Sequence, residues 1–221
     1  GLLLLAGILQ GVMVSLNGQM GNYFSLFGIC FFVHAIALVL LLAYLLAKRQ
    51  TLRFAGAPWY VYLVGVMGIA IVASSSLLNG FFNSINRMTN VRAGKLFGTA
   101  NGALINYVEA TVLSLLLMLV LKNGKELSWG YIVSVPWWVY LGSICGLLAQ
   151  LLQIVGTLRS NTLVSSILML AGNLGMSLTL DYVFYGTFSL LRAAGIFLIL
   201  AGMALVEKEK TAEAQTAAEE K

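Results

Sequence analysis

Long apolar stretches separated by short polar breaks run through almost the whole of this chain. A helix needs about 20 mostly apolar residues to cross a bilayer, and six segments meet that length comfortably. A further stretch, 2–22, is apolar at its start and becomes polar and glycine-rich from Ser15. The pattern predicts an all-α, polytopic membrane helix bundle. The six segments are roughly 26–47, 58–78, 100–121, 136–157, 162–181 and 187–206.

The segment 80–97 interrupts this pattern because it contains several asparagines and two arginines, Arg87 and Arg92. An arginine in the middle of a membrane helix costs about 2.5–3.5 kcal/mol on insertion scales. Hydropathy alone would therefore place the segment on the membrane surface. An internal repeat changes this interpretation.

The sequence repeats itself with an offset of 73 residues, which places Asn17 on Asn90 and the first helix on 80–97. Five more loop residues in the second copy then align PWYVYLVGVMG (58–68) with PWWVYLGSICG (136–146), where six of eleven positions are identical. Chance matching of apolar helices does not produce a shared Pro-Trp-x-Val-Tyr-Leu. We therefore predict that 80–97 also spans, giving about eight transmembrane helices.

Each copy contains three helices, so successive copies enter the bilayer from opposite sides. Inverted repeats are typical of secondary transporters, whose substrate site lies at the repeat interface near the midplane. We predict a first unit over 1–79, a second unit of five helices over 80–206 and a polar, solvated tail over 207–221. Around Ser74–Asn79, either a tight turn joins two spanning helices or about two helices have been lost from the first unit.

The composition agrees with a membrane protein, since 60% of residues are hydrophobic and only 10% are charged. The basic residues stand mostly at the ends of apolar runs, as juxtamembrane charges do, and we set nucleic-acid binding aside. With eight helices both ends share one side, and the positive-inside bias predicts that both termini are cytoplasmic. If 80–97 lies on the surface instead, seven helices result and the C-terminus is outside. The cytoplasmic side would hold Lys48, Arg49, Arg53, Lys95, Arg159 and the tail lysines, and the other side Lys122, Lys125 and Arg192.

Glu109 is the first candidate for chemistry because it lies near the centre of the helix at 100–121. Ionisable residues inside the membrane are rare and often functional. Arg87 falls at a similar depth in 80–97, so an ion pair between the two is one interpretation. Glu109 would then either couple transport to a proton or cation at the substrate cavity, or hold two helices together.

Asn83, Arg87 and Asn90 are spaced i, i+4 and i+7, which aligns them on one helix face. Copy one has Gln10 and Asn17 at the positions of Asn83 and Asn90. Such a stripe suits the wall of a cavity for a polar solute. Hydrogen bonds between packed helices would explain it equally well.

Other polar groups have the same two interpretations. Asn106 shares a helix face with Glu109, three residues before it. For His34, alone on an apolar helix, we favour a buried core position, and for Cys30 and Cys145 buried thiols. Further candidate lining residues are Asn101, Gln150, Gln153 and Asn173.

Enzyme motifs are absent from the sequence, including the Walker loop, G-x-S-x-G and H-E-x-x-H. We therefore predict no enzymatic activity, no cofactor and no metal site. The run Gly1–Leu9 lacks the basic flank and the cleavage site of a signal peptide, and we expect it to belong to the first helix.

Three short motifs together resemble the YdcZ-type proteins of the drug/metabolite transporter superfamily, which are regarded as bacterial inner-membrane exporters. They are the pattern Q-G-x-x-x-x-x-N-G-x-x-G from Gln10 to Gly21, the PWW opening of a helix, and the series Asn173, Ser177, Asp181, aromatic-Gly and Arg192-x-x-Gly195. The resemblance covers nearly the whole chain. It implies that 80–206 is one whole unit and that 2–79 is the opening part of another.

We therefore predict a secondary transporter of the bacterial inner membrane, an ion-coupled exporter of a small metabolite or drug-like compound. Its partners would be the lipid bilayer, the substrate and a proton or other cation, with a homo-oligomer left open. The alternative is a non-transporting membrane subunit or a degenerate transporter remnant, which the missing helices favour. The predicted binding residues are Glu109, Arg87, Asn83, Asn90, Asn17, Gln10 and Asn106.

Overall fold

The structure, a computed structural model, describes residues 1–52, 56–73, 76–186 and 190–219. Within these ranges the chain is helical and contains no β-strand. The α-helices described are α1 (Leu2–Met20), α2 (Leu26–Ala47), α3 (Val64–Ala73), α4 (Ser76–Phe97), α5 (Thr99–Val120), α6 (Trp129–Ser134), α7 (Leu141–Leu158), α8 (Thr162–Tyr185) and α9 (Leu190–Glu219). Short 3-10 helices at Trp59–Leu63, Gly124–Leu127 and Trp137–Tyr140 come before α3, α6 and α7.

The predicted all-α polytopic bundle is confirmed, and helices lie in all of the predicted membrane segments. The predicted segment 58–78 is wrong at its C-terminal end, because α3 ends at Ala73 and residues 76–78 already belong to α4. Residues 187–189, at the start of the last predicted segment, lie outside the described residues. The third helix of each copy begins as a 3-10 turn directly after a proline, Pro58 or Pro136. Proline suits such a start because its missing N–H would have no partner there. The last helix runs on to Glu219, through most of the predicted tail, where alanine and glutamate favour helix. Residues 74–75, at the predicted junction of the copies, lie outside the described residues.

Within the described residues, five helical stretches are long and apolar enough to cross a membrane: α1, α2, α5, Trp137–Leu158 and Val164–Phe184. Shorter apolar stretches at Trp59–Ile71 and Ala193–Met203 belong to the third and last helices. The polar α4 has 22 residues, and at about 1.5 Å per residue it matches the hydrocarbon thickness of a bilayer. The length of α4 is therefore compatible with the predicted span.

The two copies of the repeat pack around each other as a pseudo-symmetric pair. The second helices of the two copies, α2 and α5, pack on each other. α1 packs on α7, and the equivalent pair, α4 and α3, is also in contact. Where α2 meets α5, the rings of His34 and Tyr107 have centroids 5.7 Å apart. These two residues are equivalent in the repeat, and a residue that contacts its own equivalent lies on the twofold axis.

α8 packs along α1 through close backbone contact. A Cβ atom added at Gly7 would overlap the Met169 carbonyl oxygen, and one at Gly11 would lie 2.8 Å from the backbone carbonyl oxygen of Asn173. Small residues permit such an approach between membrane helices. Copy one passes from α3 into α4 through residues 74–75, so this chain has no equivalent of α8 that follows α3.

A buried carboxylate ties the loop after α5 to the start of α2. Glu126 accepts hydrogen bonds from the Ser25 backbone N–H at 3.0 Å and from the Ser25 hydroxyl at 3.1 Å. The Ser25 Oγ in turn accepts from the Gly28 N–H and caps α2. Negative charge is stabilising at a helix N-terminus. Glu126 therefore joins copy two to copy one at this end of the bundle.

Candidate functional site

A polar cavity of about 240 Å³ lies between the two copies of the repeat, enclosed by α1, α2, α3, α4, α5 and α7. Six of the seven predicted binding residues line this cavity, and Glu109 does not. The six are Gln10, Asn17, Asn83, Arg87, Asn90 and Asn106. Further polar lining residues are His34, Asn86, Tyr107, Ser143, Gln150 and Gln153.

The lining of the cavity follows the internal repeat. Equivalent positions, related by the offset of 73 residues or by 78 after the longer loop, appear on both walls. The cavity therefore lies on the pseudo-twofold axis that passes between His34 and Tyr107. The equivalent pairs that line it are Gln10–Asn83, Met13–Asn86, Asn17–Asn90, Val33–Asn106, His34–Tyr107, Gly68–Gly146 and Ile71–Ala149.

Four carboxamide side chains form a hydrogen-bonded chain along the wall that copy two contributes. Asn106 donates to the Gln150 Oε1 at 3.3 Å, and Gln150 donates to the Asn90 Oδ1 at 2.9 Å. Asn90 donates to the Asn86 backbone oxygen at 3.0 Å and also to its side-chain oxygen. Asn86 donates to the Val64 carbonyl oxygen at 3.1 Å. The chain connects α5, α7, α4 and α3, and so holds four helices around the cavity.

Among the described residues of the cavity wall, Arg87 carries the guanidinium cation. Its Nη1 donates to the Ser166 hydroxyl on α8 at 3.0 Å, and its Nη2 is buried without a hydrogen-bond partner. Arg87 also lines a second cavity of about 460 Å³ between α4, α8 and α9. The residues that line both cavities are Gln10, Asn83, Arg87 and Gln153.

Glu109 lies one helical turn beyond the cavity residue Asn106 and fastens α3 to α5. Its Oε2 accepts a hydrogen bond from the Gly65 N–H at 2.7 Å. A Cβ atom at Gly65 would overlap the Glu109 Cβ and lie 2.7 Å from the Ala110 nitrogen. The backbone of α3 thus packs directly on α5 at the carboxylate.

The ion pair between Arg87 and Glu109 that we considered from the sequence is not formed in the described part of the chain. Arg87 donates to α8, whereas the Glu109 carboxylate accepts from α3. The two residues have similar depths along their helices, but depth does not determine the direction in which a side chain leaves its helix.

A family model described as "Putative inner membrane exporter, YdcZ" matches the chain twice, over residues 1–79 and 73–205. The chain belongs to the YdcZ family of drug/metabolite transporters. The description of the family is that of a membrane exporter and not of an enzyme, and this member is a multi-pass inner-membrane protein. Its two matches correspond to the two units that the internal repeat indicates. No curated protein and no solved structure matches the chain.

Some cavity residues of this YdcZ-family member were not predicted from the sequence. Asn86, Tyr107 and Ser143 line the cavity, and so does His34, which we had assigned to the core. The His34 Nδ1 lies 2.7 Å from the Cys30 carbonyl oxygen, so the ring is hydrogen-bonded as well as cavity-lining. Tyr107 could have been found as the repeat equivalent of His34.

The further candidates divide between three cavities. Gln150 and Gln153 line the central one, and Asn173 lines the second, beside α8 and α9. Asn101 lines a third, at the ends of α2 and α4, and donates to the Thr51 carbonyl oxygen at 3.1 Å. Asn101 is therefore separated from the central site, whereas Asn173 lies in the cavity that adjoins it.

Proposed function

We propose that this YdcZ-family protein is a secondary transporter that exports a small polar compound through the central cavity. The observation that carries this proposal is the lining of the cavity by equivalent residues of both repeat copies. In repeat-built transporters the substrate site lies at the repeat interface, and rocking of one bundle against the other exposes it to each side in turn. Membership of an exporter family supports the same role.

The composition of the cavity wall suits a polar compound. Carboxamides both donate and accept hydrogen bonds, and the chain from Asn106 to Asn86 holds several of them in fixed positions. A wall of this kind can replace the hydration of a polar solute. The second cavity shares Arg87 and Gln10 with the central one, and it extends the site laterally toward α8 and α9.

Glu109 is our proposed coupling group. Its carboxylate holds the Gly65 N–H, and α3 also carries the cavity residues Gly68 and Ile71. Proton uptake would replace a charge-assisted hydrogen bond with a neutral one, and charge-assisted bonds are about twice as strong. The proton would thus loosen α3 from α5 and let a wall of the cavity move.

The sidedness we propose places both termini in the cytoplasm. Arg49 and residues at the C-terminal ends of α4 and α7 line the third cavity together. This arrangement supports a common side for Arg49, Lys95 and Arg159. Lys125 lies next to Glu126, which is bonded to Ser25 at the start of α2, the opposite end of that helix. Arg53, also assigned to the cytoplasmic side, lies outside the described residues.

Release from proteoliposomes tests the transport function. Vesicles containing the protein and loaded with a small-molecule extract of bacterial cells should release at least one compound faster than protein-free vesicles, measured by mass spectrometry. Asn90→Ala should abolish that release, and the exposed Arg92→Gln on the same helix should not. Equal release from all vesicles would contradict transport and would favour the non-transporting subunit, which the short first family match also supports.

Glu109→Gln tests the coupling. This isosteric change keeps the hydrogen bond to Gly65 and removes the titrating group. We expect exchange of the released compound across the membrane to continue, while accumulation driven by an imposed pH gradient is lost. Accumulation equal to that of the wild type would remove Glu109 from the coupling mechanism.

A further inference from the structure

The charged groups that line the central cavity are of one sign. Among its described lining residues Arg87 is a guanidinium and no carboxylate is present. The rest of the polar lining consists of carboxamides and hydroxyls, with one imidazole. A guanidinium stays charged in proteins, and a buried charge without a partner is costly. The cavity therefore carries a positive charge that the protein does not neutralise from within the site.

The guanidinium is also held in place and incompletely bonded. Its Nη1 donates to the Ser166 hydroxyl, which is neutral, and its buried Nη2 has no hydrogen-bond partner. A fork of N–H donors matches the two oxygens of a carboxylate or phosphate. The Nη2 group lacks a hydrogen-bond acceptor, and such an anion would supply one.

The positive charge comes from one copy of the repeat only. The equivalent of Arg87 in copy one is Val14, which does not line the cavity. Two pairs of carboxamides, in contrast, stand at equivalent positions on both walls, Gln10 with Asn83 and Asn17 with Asn90. The wall from copy two therefore differs in charge from the wall from copy one.

We infer that the transported compound is a small organic anion whose carboxylate or phosphate binds Arg87, with its polar remainder against the carboxamides. This inference rests on the proposed function and specifies its substrate class. A soluble anion fits better than a lipid headgroup because Arg87 lies at the middle of α4, about 15 Å from either end at ~1.5 Å per residue. Lipid phosphates lie at the membrane surface, beyond the ends of a spanning helix.

Binding of an isosteric probe pair to the detergent-solubilised protein tests the assignment. The probes are 4-fluorobenzoate and 4-fluorobenzamide, followed by ¹⁹F NMR line broadening. We expect the wild type to bind the carboxylate more tightly, by about tenfold or more, as for hydrogen bonds to a charged group. Arg87→Gln should bind both probes equally. Arg87→Lys should keep a preference for the carboxylate, and Arg92→Gln, on the exposed part of α4, should behave as the wild type.

A second variant covers the case in which Arg87→Gln does not fold. Ser166→Ala removes the hydroxyl that holds Nη1 and should lower the affinity for benzoate while leaving the affinity for benzamide unchanged. Equal binding of the two probes by the wild type, binding of neither, or a preference that survives in Arg87→Gln or is unaltered in Ser166→Ala would overturn the assignment.

Two further experiments distinguish a soluble anion from a lipid headgroup, and failure of the anion assignment from failure of transport. In nanodiscs of phosphatidylcholine and of phosphatidylglycerol, benzoate should bind equally. Loss of binding only with phosphatidylglycerol would assign Arg87 to an anionic lipid headgroup and contradict a soluble anion. If vesicles release only neutral compounds in an Asn90-dependent manner, transport stands and the anion assignment fails.

Discussion

Copy one and copy two of the repeat build the same three-helix frame, yet they contribute different chemistry to the cavity between them. Copy one presents Met13 and Val33 where copy two presents Asn86 and Asn106. The hydrogen-bonded carboxamide chain and Arg87 belong to copy two. The shared frame therefore determines where the cavity lies, whereas the side chains of one copy determine most of what it can bind.

The first helices of the two copies, α1 and α4, also differ in whether another helix packs on their outer face. α8 packs on α1 of copy one through backbone contact at two glycines, and α9 packs on α8. At the opposite side, α4 exposes large side chains such as Phe81 and Met88. The second unit therefore supplies helices that support the first.

Gly7→Leu is expected to break this support and to have the largest effect. A side chain at Gly7 would overlap the backbone of Met169, which cannot move aside without separating α1 from α8. Overpacking costs about 1–3 kcal/mol and occasionally more. Thermal unfolding in detergent should show a clearly lower midpoint. The matched control is Gly18→Leu on the same helix, where nothing lies within 4 Å of an added Cβ; equal midpoints for the two variants would contradict the packing described.

Glu126→Ala should have the next largest effect because it removes the clamp between the copies. The carboxylate is 5% exposed and accepts two hydrogen bonds from Ser25. Leaving such buried partners unsatisfied costs about 1–3 kcal/mol. Ser25→Ala should cost less, since the backbone N–H of residue 25 keeps its partner. A double-mutant cycle by thermal unfolding measures the coupling, and strictly additive effects would show that the clamp is not formed.

Asn90→Ala and Asn17→Ala should differ modestly in stability, although the two residues are repeat equivalents. Asn90 bonds to Gln150 and Asn86, and losing such bonds costs about 1 kcal/mol. The Asn17 side-chain oxygen is buried without a partner, so its removal should be close to neutral. Unfolding midpoints compare the variants, and an equal loss in both would mean that the carboxamide chain is not what distinguishes copy two.

Much of the fold could be predicted from the sequence because membrane helices are long and nearly uniform in composition. The segment 80–97 was ambiguous by hydropathy, and the repeat indicated correctly that it forms a helix equivalent to α1. The spacing of Asn83, Arg87 and Asn90 placed them on one face, and all three line one cavity. Helical periodicity is a local property, which is why these predictions were possible.

Contacts between helices were harder to predict because they depend on rotation about each helix axis. Arg87 and Glu109 matched in depth, yet they bond to α8 and α3 respectively. Nothing in the local sequence of Glu126 indicates that it would bond to Ser25, 101 positions away. The role of Glu109 as a coupling group remains a prediction.

Cysteine accessibility shows whether the cavity on the repeat axis is an aqueous substrate site. In a Cys30→Ser, Cys145→Ser background, Asn90→Cys should react with a membrane-impermeant thiol reagent added to vesicles. Leu41→Cys, in the buried core and 1% exposed, should stay unlabelled. If Asn90→Cys were as unreactive as Leu41→Cys from both sides of the membrane, the cavity would be sealed, and the transport mechanism proposed here would be contradicted.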